Sequence, residues 1–212
     1  MVKYKTEKKF DPYFELWQRD TLLHSIEKSD KIKFPLIVTV EPTNLCNLSC
    51  LYCSRQLMDR PIGSMDKKVF QKNVDECAKH KSAIRQSDFG EPLLHLEMIG
   101  FLEMTQKAGV LTTIFTNGTG FTEKMMNGVV DKEKDEIRFS SSGISEKEHN
   151  EVRKGSNFKK DFEAKVERLA QIRKDKNQTK PYMVVYSNVL SYEEKSFKES
   201  VENYQDHFLQ WS

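Results

Sequence analysis

Five short runs of apolar and β-branched residues alternate with amphipathic segments along this chain, and that alternation restricts its fold to a few architectures. The runs are PLIVTVE at 35–41, a short one near 83–88, VLTTIFT at 110–116, EIRFS at 136–140 and PYMVVYS at 181–187. Ser64 is placed to cap a helix running to about His80, and a second spans about 95–108, ended by Gly109. Thr122 caps a short helix bearing Met125, Met126, Val129 and Val130, and Ser145 with Glu148 forms a capping box for the next. Phe158, Phe162, Val166 and Leu169 mark a longer helix to about 174. Asn117-Gly118, closing the third strand, tolerates positive φ. Such alternation predicts parallel strands joined by right-handed helical crossovers, with both sheet faces buried.

Both ends add helical patterns. Residues 12–28 read as an amphipathic helix with Phe14, Trp17, Leu22 and Ile26 as buried positions. A second capping box, Ser191 with Glu194, precedes a face of Phe197, Val201, Tyr204, Phe208 and Trp211. In parallel α/β architectures ligands sit at the C-terminal strand ends. The polar segments with chemical potential fall there: cysteines after the first strand, GEP after the second, TNG after the third, FSSSG after the fourth and SN after the fifth.

Three of the four cysteines, Cys46, Cys50 and Cys53, lie within eight residues. A disulfide framework would need an even, dispersed set in a secreted chain. The start, MVKYKTEKKF, has no apolar run after its charges, so a cytoplasmic location is expected, where clustered thiols hold metal or do redox work. Cys77 sits at helical spacing from Phe70 and Val74, as a small core hydrophobe would. The chain has 34 basic and 32 acidic residues, a net charge of +2, which gives no electrostatic case for nucleic acid or a membrane surface. No stretch approaches a transmembrane length, and neither GxGxxG nor GxxxxGK[ST] occurs.

Three thiolates on one loop leave the choice of metal open. A structural zinc site needs a fourth protein ligand. There is no second CxxC, and His24, His80, His95, His149 and His207 are scattered singly. Only His80 or His95 could complete such a site, on spacing that does not argue for it. A [4Fe–4S] cluster with one open iron suits three thiolates, whereas electron-carrying clusters use four.

CNLSCLYC at 46–53 is CxxxCxxC with an aromatic before the last cysteine. Around it stand EPTNLCNLSCLYCSR at 41–55, GEPLLH at 90–95, TNG at 116–118, IRFSSSGIS at 137–145 and EVRKGSNF at 151–158. This ordered set resembles the radical S-adenosylmethionine (SAM) enzymes, over about residues 35–190. It is most similar to the branch that modifies peptides and small molecules and often carries a SPASM extension.

The resemblance implies a partial parallel (βα) barrel. It implies a [4Fe–4S] cluster on Cys46, Cys50 and Cys53, with SAM chelating the fourth iron. Tyr52 would lie beside adenine, or else pack on the barrel mouth. Gly90 and Glu91 match the motif that holds the SAM ammonium, with Phe89-Gly90 where relatives usually show two glycines. Asn117 either faces the cofactor or only makes its turn. Ser140 matches a serine that contacts SAM, Arg153 either matches an arginine that pairs with its carboxylate or is a solvated helix arginine, and Asn188 is placed to reach the ribose. Many relatives have Asp at the position of Ser142, so no role of that Asp is carried over. The implied activity is reductive cleavage of SAM, giving a 5′-deoxyadenosyl radical that takes hydrogen from a peptide or small metabolite. A flavodoxin or ferredoxin would supply the electron. Catalytic residues beyond the cofactor ligands are not identified.

Relatives build six βα units, and five are recognisable here. The expected organisation is a helical extension at 1–34 and a core at 35–212 that lacks a sixth unit and an auxiliary-cluster domain. A minimal enzyme or a fragment both fit, as does a degenerate cluster- or SAM-binding module without turnover.

Overall fold

The computed structural model describes residues 34–143 and 145–189. The helix expected at 12–28, the capping box at Ser191 and the face from Phe197 to Trp211 lie outside these residues, as do His24 and His207. Five strands, β1 (Ile37–Val40), β2 (Ala83–Gln86), β3 (Thr112–Thr116), β4 (Glu136–Ser142) and β5 (Tyr182–Asn188), form one sheet in the order of the chain. Every neighbouring pair is parallel. The helices are α1 (Lys67–His80), α2 (Met98–Lys107), α3 (Glu123–Asp131), α4 (Glu146–Val152) and α5 (Ala164–Asp175).

One apolar layer joins helices to sheet. Phe70, Val74 and Cys77 of α1, Phe101 and Leu102 of α2, Val129 of α3 and Leu169 of α5 meet Ile84, Ile114, Ile137 and Phe139 of the strands. Phe70 stacks on Phe101 with ring centroids 3.9 Å apart. Each fully buried side chain of this size contributes about 1.5–3 kcal/mol by leaving water. Cys77 is fully buried, and desolvation pushes its thiol up to about 11, as suits a core position. Because side chains alternate along a strand, the residues between these core positions project from the opposite face. They include Arg85, Phe115, Arg138 and Ser140.

Three local expectations change. Ser64 does not cap α1: it bridges Thr43, and Asp66 caps instead, accepting from Lys68 N at 2.7 Å. The segment from 95 starts later, because Pro92–Leu94 makes its own 3₁₀ turn and α2 opens only at Met98. The helix through Phe158 begins as a π-helical turn, Phe158–Glu163, before α5. At the TNG turn it is Gly118 that takes positive φ, +85°, and Asn117 stays outside that region. Thr122 and Ser145 cap as expected, accepting from Met125 N and Glu148 N. No helix among the described residues is long and apolar enough to cross a membrane.

Candidate functional site

The cysteines lie on the loop that follows β1, and that loop is closed on itself. Thr43 Oγ1 donates to Gly63 O at 2.7 Å, while the Asn44 carboxamide donates to Pro61 O and accepts from Gly63 N. Its far side is pinned to the end of α4, where Ser49 N reaches Lys154 O and Leu51 N reaches Val152 O, each at 3.0 Å. Its near side receives the GEP turn, through Glu91 N to Leu45 O at 2.9 Å. Gly90 is required at this contact. A Cβ there would sit 1.7 Å from the Thr43 carbonyl oxygen, which is backbone and cannot swing away.

All three loop thiols are free, with Cys50 buried and Cys46 and Cys53 half-buried. Burial is the main influence raising the Cys46 and Cys50 thiols, and the Arg153 charge opposes it at Cys50. Thiols in such a setting stay protonated until a soft cation replaces the proton. Among the described residues no three His, Cys, Asp or Glu side chains converge on one metal ion. Three free thiols on one loop are a donor set that a cluster can take, each thiolate on a different iron. Neither candidate histidine joins them. His95 Nδ1 accepts from Glu97 N, its Nε2 lies 3.1 Å from Met65 O, and His80 stacks on Phe34. Asn117 stands beside the thiols, with Nδ2 3.8 Å from Cys46 Sγ, while its Oδ1 accepts from Thr119 N and Oγ1.

Arg153, at the end of α4, is 3% exposed. Its Nε donates to Ser142 Oγ at 3.0 Å, and one terminal nitrogen donates to Tyr52 OH at 2.8 Å, to Ser141 O at 3.1 Å and to Ser140 Oγ. Tyr52 OH also lies 3.2 Å from Ser142 Oγ, and the guanidinium sits 5.9 Å from the Tyr52 ring centre. Thus Tyr52, Ser140 and Arg153, predicted separately, meet in one cluster. Among the described residues the polar partners of this cation are hydroxyls and a carbonyl, with a ring nearby. Among the described residues no carboxylate pairs with it. A buried guanidinium without an anion is unusual, because desolvation is costly unless a charge partner repays it. Ser142 belongs to this cluster and was missed. Its signal was the Ser-Ser-Ser end of β4, which brings two hydroxyls to one face by alternation.

Glu91 is placed differently from a free ligand. Its carboxylate accepts from Leu93 N, Thr116 Oγ1 and Asn117 N at 3.1, 2.7 and 2.7 Å. It therefore locks the GEP turn to the end of β3. Burial pushes its carboxyl up, and those three hydrogen bonds with the Arg153 charge pull it back. Asn188 ends β5 exposed, paired in register with Ser142, and its carbonyl accepts from Gly143 N at 2.9 Å. His149, one turn before Arg153, is fully buried between Ser141 Oγ at 2.9 Å and Ser156 Oγ at 3.2 Å. Burial, then the Arg153 charge, lowers it to about 4, so its imidazole is neutral near pH 7.

Three thiols, a glycine cradle and a buried cation thus share the C-terminal mouth of the sheet. The family model of the radical SAM superfamily matches residues 40–201. The chain belongs to the radical SAM superfamily. That family implies SAM and an iron–sulfur cluster as cofactors. The chain is 31% identical over 103 residues to the tungsten-containing aldehyde ferredoxin oxidoreductase cofactor-modifying protein of Pyrococcus furiosus, covering 48% of this chain and 29% of that one. It is 28% identical over 121 residues to PqqA peptide cyclase of Rhizobium meliloti, covering 52% and 30%. The chain therefore spans less than a third of the length of these two relatives. Its fold matches Streptococcus suis SuiB bound to the precursor peptide SuiA with a TM-score of 0.63, at 15% identity, over 85% of this chain and 38% of that one. The open five-stranded sheet is the partial barrel of the superfamily.

Proposed function

We propose that this radical SAM chain holds a [4Fe–4S] cluster on Cys46, Cys50 and Cys53, cleaves SAM reductively and directs the radical to a peptide. The observation that carries this reading is the buried, carboxylate-free Arg153 beside three free thiols. A cluster held by Cys46, Cys50 and Cys53 would supply the electron for reductive cleavage of the S–C5′ bond of SAM.

The chain's own residues bind and orient. Arg153 receives the SAM carboxylate through charge-assisted hydrogen bonds, and Ser140 and Ser142 fix the plane of its fork. Tyr52, held by Arg153, lines the adenine side. The backbone of Gly90 and Glu91, rather than the engaged Glu91 carboxylate, faces the ammonium. Asn117 places its N–H near the Cys46 sulfur, where it lowers electron density and raises the reduction potential. Asn188 completes the rim on the ribose side. A flavodoxin or ferredoxin-type donor would approach over the cysteine loop, where Leu51, Leu57 and Ile62 are exposed. The names of PqqA peptide cyclase and of the SuiB–SuiA complex support a peptide substrate over a small metabolite.

Anaerobic reconstitution with iron and sulfide tests the reading. A broad absorbance near 400 nm, then release of 5′-deoxyadenosine on adding dithionite and SAM, is the expected result. Cluster formation without SAM cleavage would overturn the enzyme reading and leave a cofactor-binding module. Stoichiometric zinc without labile sulfide would overturn the cluster itself.

A further inference from the structure

The face of the sheet opposite the helices carries a second cationic layer, deeper than Arg153. Arg85 of β2 and Arg138 of β4 each place a guanidinium carbon 5.4 Å from the centre of the Phe115 ring. Tyr186 of β5 meets the same ring edge-on at 5.8 Å. Arg138 and Ser140 share this face, two residues apart, so the layer lies about 7 Å along the strand below the Arg153 cluster.

The two arginines differ in their charge partners. Glu136, 1% exposed, accepts from Arg138 Nε at 2.9 Å and a terminal nitrogen at 3.0 Å, and from Thr113 Oγ1 at 2.8 Å. Glu136 therefore neutralises Arg138. Arg85 is half-buried, and its register neighbours are Thr39 and Thr113, both neutral. Among the described residues no carboxylate pairs with it, and its guanidinium lies beside the Phe115 ring. Among the described residues the layer thus holds one net positive charge against an aromatic platform, below the Arg153 cluster.

We propose that Arg85 binds a carboxylate side chain of the substrate, so that the peptide entering this sheet is acidic at the position beside the reacting residue. This rests on the radical SAM peptide reading above. A guanidinium pairs with a carboxylate through two parallel hydrogen bonds, and among the described residues no carboxylate occupies the Arg85 fork beside the Phe115 ring. One net charge matches a monoanion and undercompensates a phosphate dianion. The aromatic surface of Phe115 and Tyr186 then packs against the methylene groups that carry the carboxylate.

The test uses the full chain, reconstituted anaerobically and saturated with SAM. The probes are three fluorescent hexapeptide pools, blocked at both ends and identical except for a central Glu, Gln or phosphoserine. The Glu pool should bind at least tenfold tighter than the Gln pool in polarisation titrations. Arg85→Gln should bring that ratio close to one, and Arg85→Lys should keep an intermediate ratio. Equal binding of Glu and Gln pools, binding of neither, or a preference that survives Arg85→Gln would overturn the proposal. Tighter binding of the phosphoserine pool would overturn the carboxylate in favour of phosphate. The SAM cleavage assay on the wild-type chain reads separately, so loss of turnover with an intact Glu preference condemns only the enzyme reading.

Discussion

Nε of Arg153 donates to Ser142 Oγ at 3.0 Å, inside a cluster where the cation meets hydroxyls and a carbonyl in place of a carboxylate. The arrangement fixes the plane of the guanidinium, and among the described residues no carboxylate pairs with it, which is what an anion-binding group needs. Arg153→Lys keeps a charge but loses the fork and its anchorage to Ser142. Charge-assisted hydrogen bonds are worth about 1.5–3 kcal/mol each, so SAM affinity should fall about 10- to 100-fold. Calorimetric titration of the reconstituted protein measures it, with iron content as the control that the cysteine loop is intact.

The Gly90 contact makes a sharper demand on the loop. With a Cβ forced to 1.7 Å from the Thr43 carbonyl, Gly90→Ala must push the GEP turn and the cysteine loop apart. The Glu91 N to Leu45 O hydrogen bond goes with it. The variant should take up less than about a third of the wild-type iron, and should lose about 3 kcal/mol or more by the scale of steric mutations in packed sites. Normal iron uptake with normal stability would show that the two segments separate freely.

His149 gives the fold an acid limit. Its ordinary value of 6.5 falls to about 4 in the folded chain, chiefly because it is buried and secondly because Arg153 is near. The unfolded chain therefore binds the proton first. Stability contributed by the neutral ring is intact above about pH 6.5, is lost as pH falls through the window, and falls no further below about 4. The loss is on the order of 3 kcal/mol by linkage. Urea midpoints at pH 7, 5.5 and 4.5 measure the slope, which His149→Gln should flatten between pH 6.5 and 4.

Much of this architecture is legible in the sequence because hydrophobic period and cap chemistry are local. The five strands, the Thr122 and Ser145 caps and the division of Cys77 from the other cysteines follow from spacing alone. What escaped depends on register or on distant partners. Ser64 and Asp66 are both acceptable caps, and the choice is made by the Thr43–Ser64 bridge, which no local rule contains. The inward turn of Glu91 requires the end of β3 to arrive beside it, 25 residues along the chain at Thr116. Ser142 drew notice only for the Asp it replaces, and its bond to Arg153 needs β4 and α4 placed together. The Arg85–Phe115–Arg138 layer is a cross-strand pattern, invisible until the parallel register is known.

Gln86 stands on the core side of β2, fully buried, with neither side-chain oxygen nor nitrogen hydrogen-bonded among the described residues. An unpaired buried amide costs about 1–3 kcal/mol, and methionine fills nearly the same volume with flexible apolar atoms. Gln86→Met should therefore raise stability by about 1 kcal/mol, read as a higher urea midpoint at unchanged slope. A lower midpoint would mean that an internal water satisfies the amide, since the substitution would then remove hydrogen bonds instead of a penalty.

Replacing the cysteines one at a time separates the two roles that the same residue type plays here. Cys46, Cys50 and Cys53 occupy a loop whose backbone bonds to Glu91, Val152 and Lys154 do not involve the thiols. Cys46→Ala, Cys50→Ala and Cys53→Ala should each fold with little loss of stability, yet fail to retain a cluster. Cys77 is a fully buried member of the layer between α1 and the sheet. Cys77→Ala should bind iron normally and lose about 1 kcal/mol, the cost of a small cavity in a packed core. Iron and labile sulfide per chain, paired with thermal midpoints, give the two readouts. Equal iron loss in all four variants would place Cys77 in the metal site and overturn the division. Normal iron in any one of the three loop variants would remove that residue from the ligand set.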